Sequence, residues 1–233
     1  MTVLSEDKSE FMKKINRKRT ICLIALLAAL LLVSVFFLPH HQWTSAKRLS
    51  DQYHAQIPQF HSSVDKDRDG IDDQMDILQG ALAYVSTQPR YKSKYYSTGY
   101  PNDGYGVCTD VVAFAMKGAG YDLMELVDED IKEHPGDYNI ENPDKNIDFR
   151  RVQNLKVWFK NNAVSLTTDL SDIEEWQGGD IVIFKNHIGV VSDRRNKDGV
   201  PYVIHHNSPH QVSYEEDILE KRDDLVAHYR ISE

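Results

Sequence analysis

The chain has 233 residues with 27 basic and 36 acidic side chains, which gives a formal net charge of −9 at pH 7. This length allows one domain with a sizeable core, once the N-terminal segments are set aside. The acidic balance provides no electrostatic basis for binding nucleic acid, which depends on basic patches that release counterions. We therefore expect no nucleic-acid partner.

The first predicted elements are a basic tail at 1–20 and an uncharged apolar run at 21–38. Such a run is about the minimum length that spans a hydrocarbon core, and the positive-inside rule keeps the basic tail in the cytoplasm. The sequence therefore predicts a transmembrane signal anchor in a single-pass protein of the cell membrane. A signal peptide cleaved near 44–46 is the alternative, although the run exceeds the roughly 7 to 15 apolar residues usual there.

A polar segment without apolar periodicity covers 39–63. It predicts a linker that holds the following domain away from the membrane. The remaining residues, 64–233, are then a single extracytoplasmic domain.

An acidic loop at 65–76 opens this domain. Oxygen-bearing side chains fall at positions 1, 3, 5, 9 and 12 of a calcium loop, and Gly70 occupies position 6, where the chain must turn sharply. The side chains are those of Asp65, Asp67, Asp69, Asp73 and Asp76. Position 12 is Asp, whereas such loops usually have a bidentate Glu there. The pattern favours a structural calcium ion and, equally, an acidic cap for the helix that the apolar spacing at 75–85 predicts.

Cys108 lies where a glycine-bearing turn runs into a segment with helical apolar spacing. A thiol at a helix N-terminus feels the positive end of the helix dipole, which favours the thiolate. Because Cys22 lies in the apolar run, Cys108 has no expected disulfide partner, and we interpret it as a nucleophile. The helix should bury Val111, Val112, Ala115 and Ala119 and end at Gly118 and Gly120, while Asp110 in its first turn is a favourable dipole partner.

Helical spacing recurs around 122–133 and 150–161, and after that the period changes. Short β-branched or aromatic runs separated by turn residues follow at 180–184, 187–191, 201–205 and 225–231. Helices followed by strands predict an α+β fold with an antiparallel sheet.

Histidines at strand ends supply a candidate base. His187 opens a strand otherwise made of Ile, Gly and Val, where a neutral imidazole could deprotonate a thiol. His205 and His206 end the next strand, and only one of them can face the site because neighbouring strand residues point to opposite faces. The inward member could fix the tautomer of His187, and Asn207, which shares the face of His205, is an alternative orienting residue.

Several strings in fixed order resemble the bacterial family known as domain of unknown function 1287, which is grouped with the NlpC-type cell-wall cysteine peptidases. They are Tyr100-Pro101, Gly106-Val107-Cys108-Thr109-Asp110-Val111-Val112, Asn146-Ile147-Asp148-Phe149-Arg150-Arg151-Val152, Gly179-Asp180-Ile181-Val182, His187-Ile188-Gly189-Val190-Val191-Ser192-Asp193 and Ile204-His205-His206. The resemblance implies a papain-like NlpC-type fold in which the nucleophile helix packs on the antiparallel sheet. It also implies a catalytic triad of Cys108, His187 and His205, with Tyr96 or Tyr100 assisting the oxyanion. Many family members have Asn where this chain has His206.

These observations predict an extracytoplasmic cysteine peptidase or amidase that acts through an acyl-enzyme, and the resemblance implies peptidoglycan stem peptides as its substrate. Catalysis would need no cofactor, and calcium would be structural. One alternative is an acyltransferase or transpeptidase that uses the same triad. The other is a non-catalytic, calcium-dependent wall-binding module. A depressed thiol pKa together with peptide release from purified wall would favour the hydrolase, whereas a slowly alkylated thiol and no release would favour the module.

Overall fold

The computed structural model describes residues 3–37 and 44–232. The chain divides into two compact units, Met1–Gln42 and Trp43–Glu233. In the first unit the structure describes a single helix, α1 (Val3–Phe37).

The membrane span predicted at 21–38 is wrong. Among the described residues, no helix has an apolar stretch long enough to cross a membrane. A span takes about 20 predominantly apolar residues, and the turn of α1 just before the apolar run carries Arg17, Lys18 and Arg19. Leu38, the last residue of the predicted span, lies outside the described residues. The span was the basis for the predicted single-pass topology and cell-membrane localisation. Neither is supported without it.

The segment predicted as a linker differs from that prediction over its described part. Thr44 and Ser62 are buried, and Ser45 forms a β-bridge with Ser213. Arg48 forms an ion pair with Glu215 at 2.8 Å. Because these polar groups find partners far along the chain in the second unit, the described part 44–63 belongs to that folded unit. Residues 39–43 lie outside the described residues.

The helices of the second unit follow the predicted order. They are α2 (Asp73–Ser86), α3 (Cys108–Gly118), α4 (Leu123–Glu133), the short α5 (Lys145–Asp148) and α6 (Val152–Asn162). Asp72, Asp122 and Asp144 accept a backbone N–H at the starts of α2, α4 and α5, which satisfies donors that have no partner within the helix. As predicted, the stripe of α3 that contains Val111 and Ala115 is fully buried.

The strands form one large antiparallel sheet and one small parallel pair. The pair is β1 (Arg90–Tyr91) with β2 (Tyr105–Gly106). The sheet contains β3 (Val164–Ser165), β4 (Ile181–Phe184), β5 (His187–Arg195), β6 (Pro201–Ile204), β7 (Glu215–Glu216) and β8 (Leu225–Arg230). Its strand order is β3-β8-β4-β5-β6-β7, and every neighbouring pair is antiparallel. The predicted α+β class with an antiparallel sheet is confirmed.

The sheet carries apolar side chains on both faces. Ile183, Ile188 and Val190 join the main core with α2, α3, α4 and α6, whereas Phe184 and Val191 join a smaller cluster. This division follows from the alternation of side chains along a strand. The main core is therefore built between the helices and one face of the sheet, and α3 holds Cys108 at its edge.

Candidate functional site

The first turn of α3 is fixed by a buried ion pair. Asp110 accepts the backbone N–H of Val107 at 2.8 Å and two guanidinium bonds from Arg150, at 2.6 and 3.0 Å. Both charged side chains are almost completely buried. Removing one partner of such a pair leaves an uncompensated charge, so this contact rigidly fixes the position from which α3 begins. Asp110 is therefore more than the dipole partner expected from the sequence.

Cys108 is the first residue of α3 and is partly exposed. Its sulfur lies against the backbone N–H of Ile188, the residue that follows His187. Burial raises the pKa of the thiol to about 11, although backbone N–H groups around the sulfur act in the opposite direction. The prediction that the helix dipole favours a thiolate is wrong for this resting state, because desolvation outweighs the dipole.

His187 and His205 are brought together as predicted. His187 Nε2 lies 2.9 Å from His205 Nδ1, and both side chains are buried. Burial, reinforced by the charge of His205, lowers the pKa of His187 to about 2, so its ring is neutral at pH 7. Within the described residues, no hydrogen bond involves His187 Nδ1, and none joins His187 to the Cys108 thiol. The resting site therefore holds a neutral thiol near a neutral imidazole.

The local sequence explains why these two rings meet. The hairpin between β4 and β5 pairs Phe184 with His187, which places His187 at the end of the sheet. One Cβ added to Gly189 would lie 2.6 Å from Val203 Cγ1 and 3.2 Å from His205 Cβ. A side chain at Gly189 would therefore displace β6 and His205, which gives the glycine of His-x-Gly a packing role.

Glu216 continues the histidine contact. Its Oε2 lies 3.1 Å from His205 Nε2. Gln211 Nε2 is also near that nitrogen, at 3.4 Å, but it already donates to the backbone oxygens of His205 at 3.0 Å and Ser213 at 2.6 Å. An amide nitrogen has two hydrogens, so the backbone oxygens account for both, and the Glu216 carboxylate lies at ion-pair distance from His205 Nε2.

The two residues that follow His205 have different surroundings. His206 is fully buried, and neither ring nitrogen has a hydrogen-bond partner. Its ring makes edge contacts with Tyr91 and Tyr214, and burial lowers its pKa to about 4. Asn207 is exposed and its backbone N–H donates to Gln211, so its side chain is not placed to orient His187.

Tyr96 and Tyr100, the tyrosines predicted to assist the oxyanion, form hydrogen bonds with aspartates. The hydroxyl of Tyr96 donates to Asp103 at 2.7 Å, and that of Tyr100 donates to Asp122 at 2.8 Å. Burial, and to a smaller extent the neighbouring Cys108, raises the pKa of a third tyrosine, Tyr91. Tyr91 in β1 pairs with Gly106 in β2, two positions before Cys108. The assignment of Tyr96 or Tyr100 to the oxyanion is therefore not supported by their positions.

The acidic loop brings together part of the predicted ligand set. One carboxylate oxygen from each of Asp65, Asp67 and Asp69 lies within 4.8 Å of the others. Asp76 is buried, and burial together with the charges of Asp69, Asp67 and Asp65 raises its pKa to about 6. Asp73 instead accepts the N–H of Lys66 at 2.8 Å and the hydroxyl of Tyr121, so it is not placed as a ligand.

Sequence reasoning missed the contributions of Tyr91, Arg150 and Glu216. Tyr91 begins the tyrosine-rich segment 91–105, so composition pointed to the region and not to the residue. Arg150 and Glu216 are distant along the chain from the groups they contact, and charge pattern gave no sign of either pairing.

Comparison with known proteins covers most of this site. The domain of unknown function DUF1287 matches residues 78–231, which include Cys108, His187, His205 and Glu216. The uncharacterized protein YijF of Escherichia coli (strain K12) is 36% identical over 167 residues, which is 66% of this chain and 80% of the relative. No solved structure matches the chain. Both the extent of the domain match and the identity to this relative show that the chain belongs to the DUF1287 family.

Proposed function

We propose that this chain is a cysteine hydrolase of papain-like, NlpC type that cleaves amide bonds through an acyl-enzyme. The observation that carries the proposal is the 2.9 Å contact between His187 Nε2 and His205 Nδ1 beside the start of the helix that holds Cys108. A nucleophile, a base and a residue that orients the base are the parts such chemistry requires. Peptidoglycan stem peptides are the proposed substrate class, by resemblance to the NlpC-type enzymes.

The hydrogen-bond chain supports a direction for the proton. If Glu216 accepts from His205 Nε2–H, then His205 Nδ1 is an acceptor and His187 Nε2 must donate to it. His187 Nδ1 then carries a lone pair and can accept a proton. Glu216 would thus set the tautomers of both rings through its 3.1 Å contact with His205 and the hydrogen bond between the two rings.

The proposed first step is general-base activation of the thiol by His187. His187 Nδ1 would remove the thiol proton as the Cys108 sulfur attacks the carbonyl carbon. The same proton would pass to the leaving amine when the carbon–nitrogen bond breaks, which leaves a thioester. His187 would next take a proton from water as the hydroxide attacks the thioester, and return it to the departing sulfur.

The developing oxyanion needs donors near the sulfur. The backbone N–H groups of Cys108 and Thr109 already face the thiol, and the first N–H groups of a helix have no partner within it. We assign the assisting hydroxyl to Tyr91, because its pairing with Gly106 places it on the strand next to the segment that leads into Cys108.

The raised pKa of Cys108 is the observation that favours the second candidate, a non-catalytic wall-binding module. Incubation of the full chain with purified peptidoglycan, followed by mass spectrometry of new termini, separates the two. The hydrolase predicts new amino and carboxyl termini that are absent with Cys108→Ala. Pelleting with the wall without any new terminus would overturn the hydrolase and support the module.

The acyltransferase alternative uses the same residues, so it needs its own measurement. A stem peptide is incubated with an excess of an amine acceptor, and the products are counted by mass. Hydrolysis predicts mainly the free acid, whereas a predominant amide with the added amine would identify a transferase.

A further inference from the structure

The acidic loop before α2 is held in a defined conformation by hydrogen bonds, and it takes no part in the proposed chemistry. Asp65 accepts backbone N–H groups from Arg68 at 2.7 Å, Asp69 at 3.2 Å and Gly70 at 3.0 Å. Arg68 and Gly70 have φ angles of 64° and 97°, so the chain curls tightly around this carboxylate. The curl leaves one oxygen each of Asp65, Asp67 and Asp69 within 4.8 Å of one another.

The cluster is not neutralised by the neighbouring cations. Lys66 Nζ lies 4.4 Å from the centre of the Tyr121 ring. No ion pair in the described part of the chain involves Asp65, Asp67 or Asp69. Carboxylates held this close repel one another unless a cation lies between them.

An independent observation points to a missing partner. Asp76 is only 7% exposed, and its Oδ2 makes no hydrogen bond. A buried carboxylate oxygen without a partner is costly, and such atoms in folded proteins call for an explanation such as an ion. Asp76 occupies position 12 of the loop, where calcium loops place their last carboxylate ligand.

Asp73 does not share that property. It is fully buried, and its two oxygens accept the Lys66 N–H and the Tyr121 hydroxyl. Position 9 of such loops often reaches the ion through water, so the loss of Asp73 as a direct ligand does not remove the site.

We propose that this loop binds one calcium ion through Asp65, Asp67, Asp69 and Asp76, with the backbone carbonyl of Ile71 as a further oxygen ligand. Calcium fits because it takes six to eight oxygen ligands in flexible geometry. The site lies outside the segment 78–231 that matches the family. It is also independent of the proposed hydrolysis.

The packing of the loop indicates what the ion would stabilise. A Cβ added to Gly120, just beyond α3, would lie 3.1 Å from Asp67 Cβ. Gly80 of α2 lies against the backbone of Ala115 in α3, where an added Cβ would meet the Ala115 oxygen at 2.8 Å. The loop therefore contacts the end of the nucleophile helix and leads into the helix packed along it. Calcium should raise the stability of this helix pair.

The test uses the full chain and calcium alone. Isothermal titration of chelator-treated protein should show one site, and millimolar calcium should raise Tm by about 5 °C or more relative to chelator. Asp67→Asn with Asp69→Asn should weaken calcium affinity by on the order of 100-fold, because ligand charge tunes affinity in such loops. Asp76→Asn alone should also weaken affinity, whereas Asp73→Asn should leave it nearly unchanged even if it lowers Tm.

A matched control removes the same two charges elsewhere. Asp172→Asn with Glu174→Gln changes exposed acidic residues outside the loop and should leave calcium affinity unchanged. Circular dichroism verifies that each variant is folded before titration. No heat of binding at millimolar calcium, or equal loss of affinity in the control, would overturn the proposal.

Discussion

Two histidines of the same sheet contact a carboxylate, and their surroundings differ. His228 Nε2 lies 2.9 Å from Asp180 Oδ2, its Nδ1 lies 2.8 Å from the Thr167 oxygen, and its ring stacks on Trp176. Arg230 makes two further bonds to Asp180. At the other site, His205 lies between Glu216 and His187, whose Nδ1 has no hydrogen bond among the described residues.

The difference separates a structural polar cluster from a candidate reactive one. Both nitrogens of His228 face oxygen atoms, and both His228 and Asp180 are fully buried. His187, at the end of the sheet beside Cys108, instead keeps its Nδ1 without a hydrogen-bond partner among the described residues. A histidine with a carboxylate is therefore not enough to indicate chemistry; a nitrogen without a partner is the additional requirement.

The largest expected effect concerns the proposed nucleophile and base. Cys108→Ala and His187→Ala should each lower turnover of a stem peptide by about four orders of magnitude or more, because members of one catalytic unit fail together. Their circular dichroism spectra should match the unchanged chain. Either variant retaining most of its turnover would contradict the proposed mechanism.

The buried cluster should respond in the opposite way. Asp180→Asn leaves Arg230 and His228 without their carboxylate, so the free energy of unfolding should fall by about 3–5 kcal/mol. Urea unfolding measures this loss. Turnover per folded molecule should stay unchanged at low temperature, and a loss of turnover larger than the loss of folded protein would assign Asp180 to the active site.

An intermediate effect is expected for the residues that orient His187. His205→Ala should lower turnover far more than His206→Ala, and should add little on top of His187→Ala. Glu216→Gln should lower kcat by about tenfold, or about 1.4 kcal/mol, with KM unchanged.

Two further variants test whether Glu216 acts by position and charge. Glu216→Asp should restore part of the lost kcat. Glu215→Gln provides the neighbouring control, because Glu215 bonds Arg48 and Ser192 and should affect stability alone. If Glu215→Gln reduced kcat as much as Glu216→Gln, the proposed hydrogen-bond chain would lose its support.

The smallest effect is expected at His206. His206→Phe keeps the ring between Tyr91 and Tyr214 and removes two buried nitrogens without partners, so stability should rise by about 1 kcal/mol. Turnover should change little. A fall in stability would show that the nitrogens do have a partner, such as water.

The pH dependence of stability tests the same residue. The ordinary histidine pKa of 6.5 is lowered to about 4 for His206 in the folded state. The unfolded chain then binds more protons below pH 6.5, so stability is fully present above that pH and falls as the pH drops toward 4. The contribution of one such group is at most about 1.4 kcal/mol per pH unit. His206→Phe should flatten Tm against pH in this window, whereas the exposed His210→Gln should not.

Local patterns in the sequence determined much of the fold. The apolar stripe of α3, its end at Gly118 just before Gly120 with φ of 77°, and the strand runs that became β4 and β5 all followed from spacing and turn residues. Strand alternation also determined that only one of His205 and His206 could face His187. These features depend on residues close together in the chain, where periodicity is a reliable guide.

The protonation of the site was decided by the tertiary structure. The dipole of α3 alone predicts a lowered pKa for Cys108, yet burial raises it. Burial depends on how β5 packs against α3, which no local pattern encodes. The choice of Tyr91 over Tyr96 and Tyr100 has the same origin, because hydroxyl partners such as Asp103 and Asp122 are set by loop packing.

The N-terminal prediction shows that composition alone can mislead. The apolar run at 21–38 suggested a membrane span that the described helix does not support. The sequence by itself determined the order along the chain of the candidate groups: thiol, imidazole, imidazole. Tertiary structure decided that Glu216 lies beside His205 and that Asp73 accepts the backbone N–H of Lys66. The physical reason is that hydrogen-bond partners and desolvation depend on distances through space, whereas spacing along the chain fixes only the periodic contacts of helices and strands.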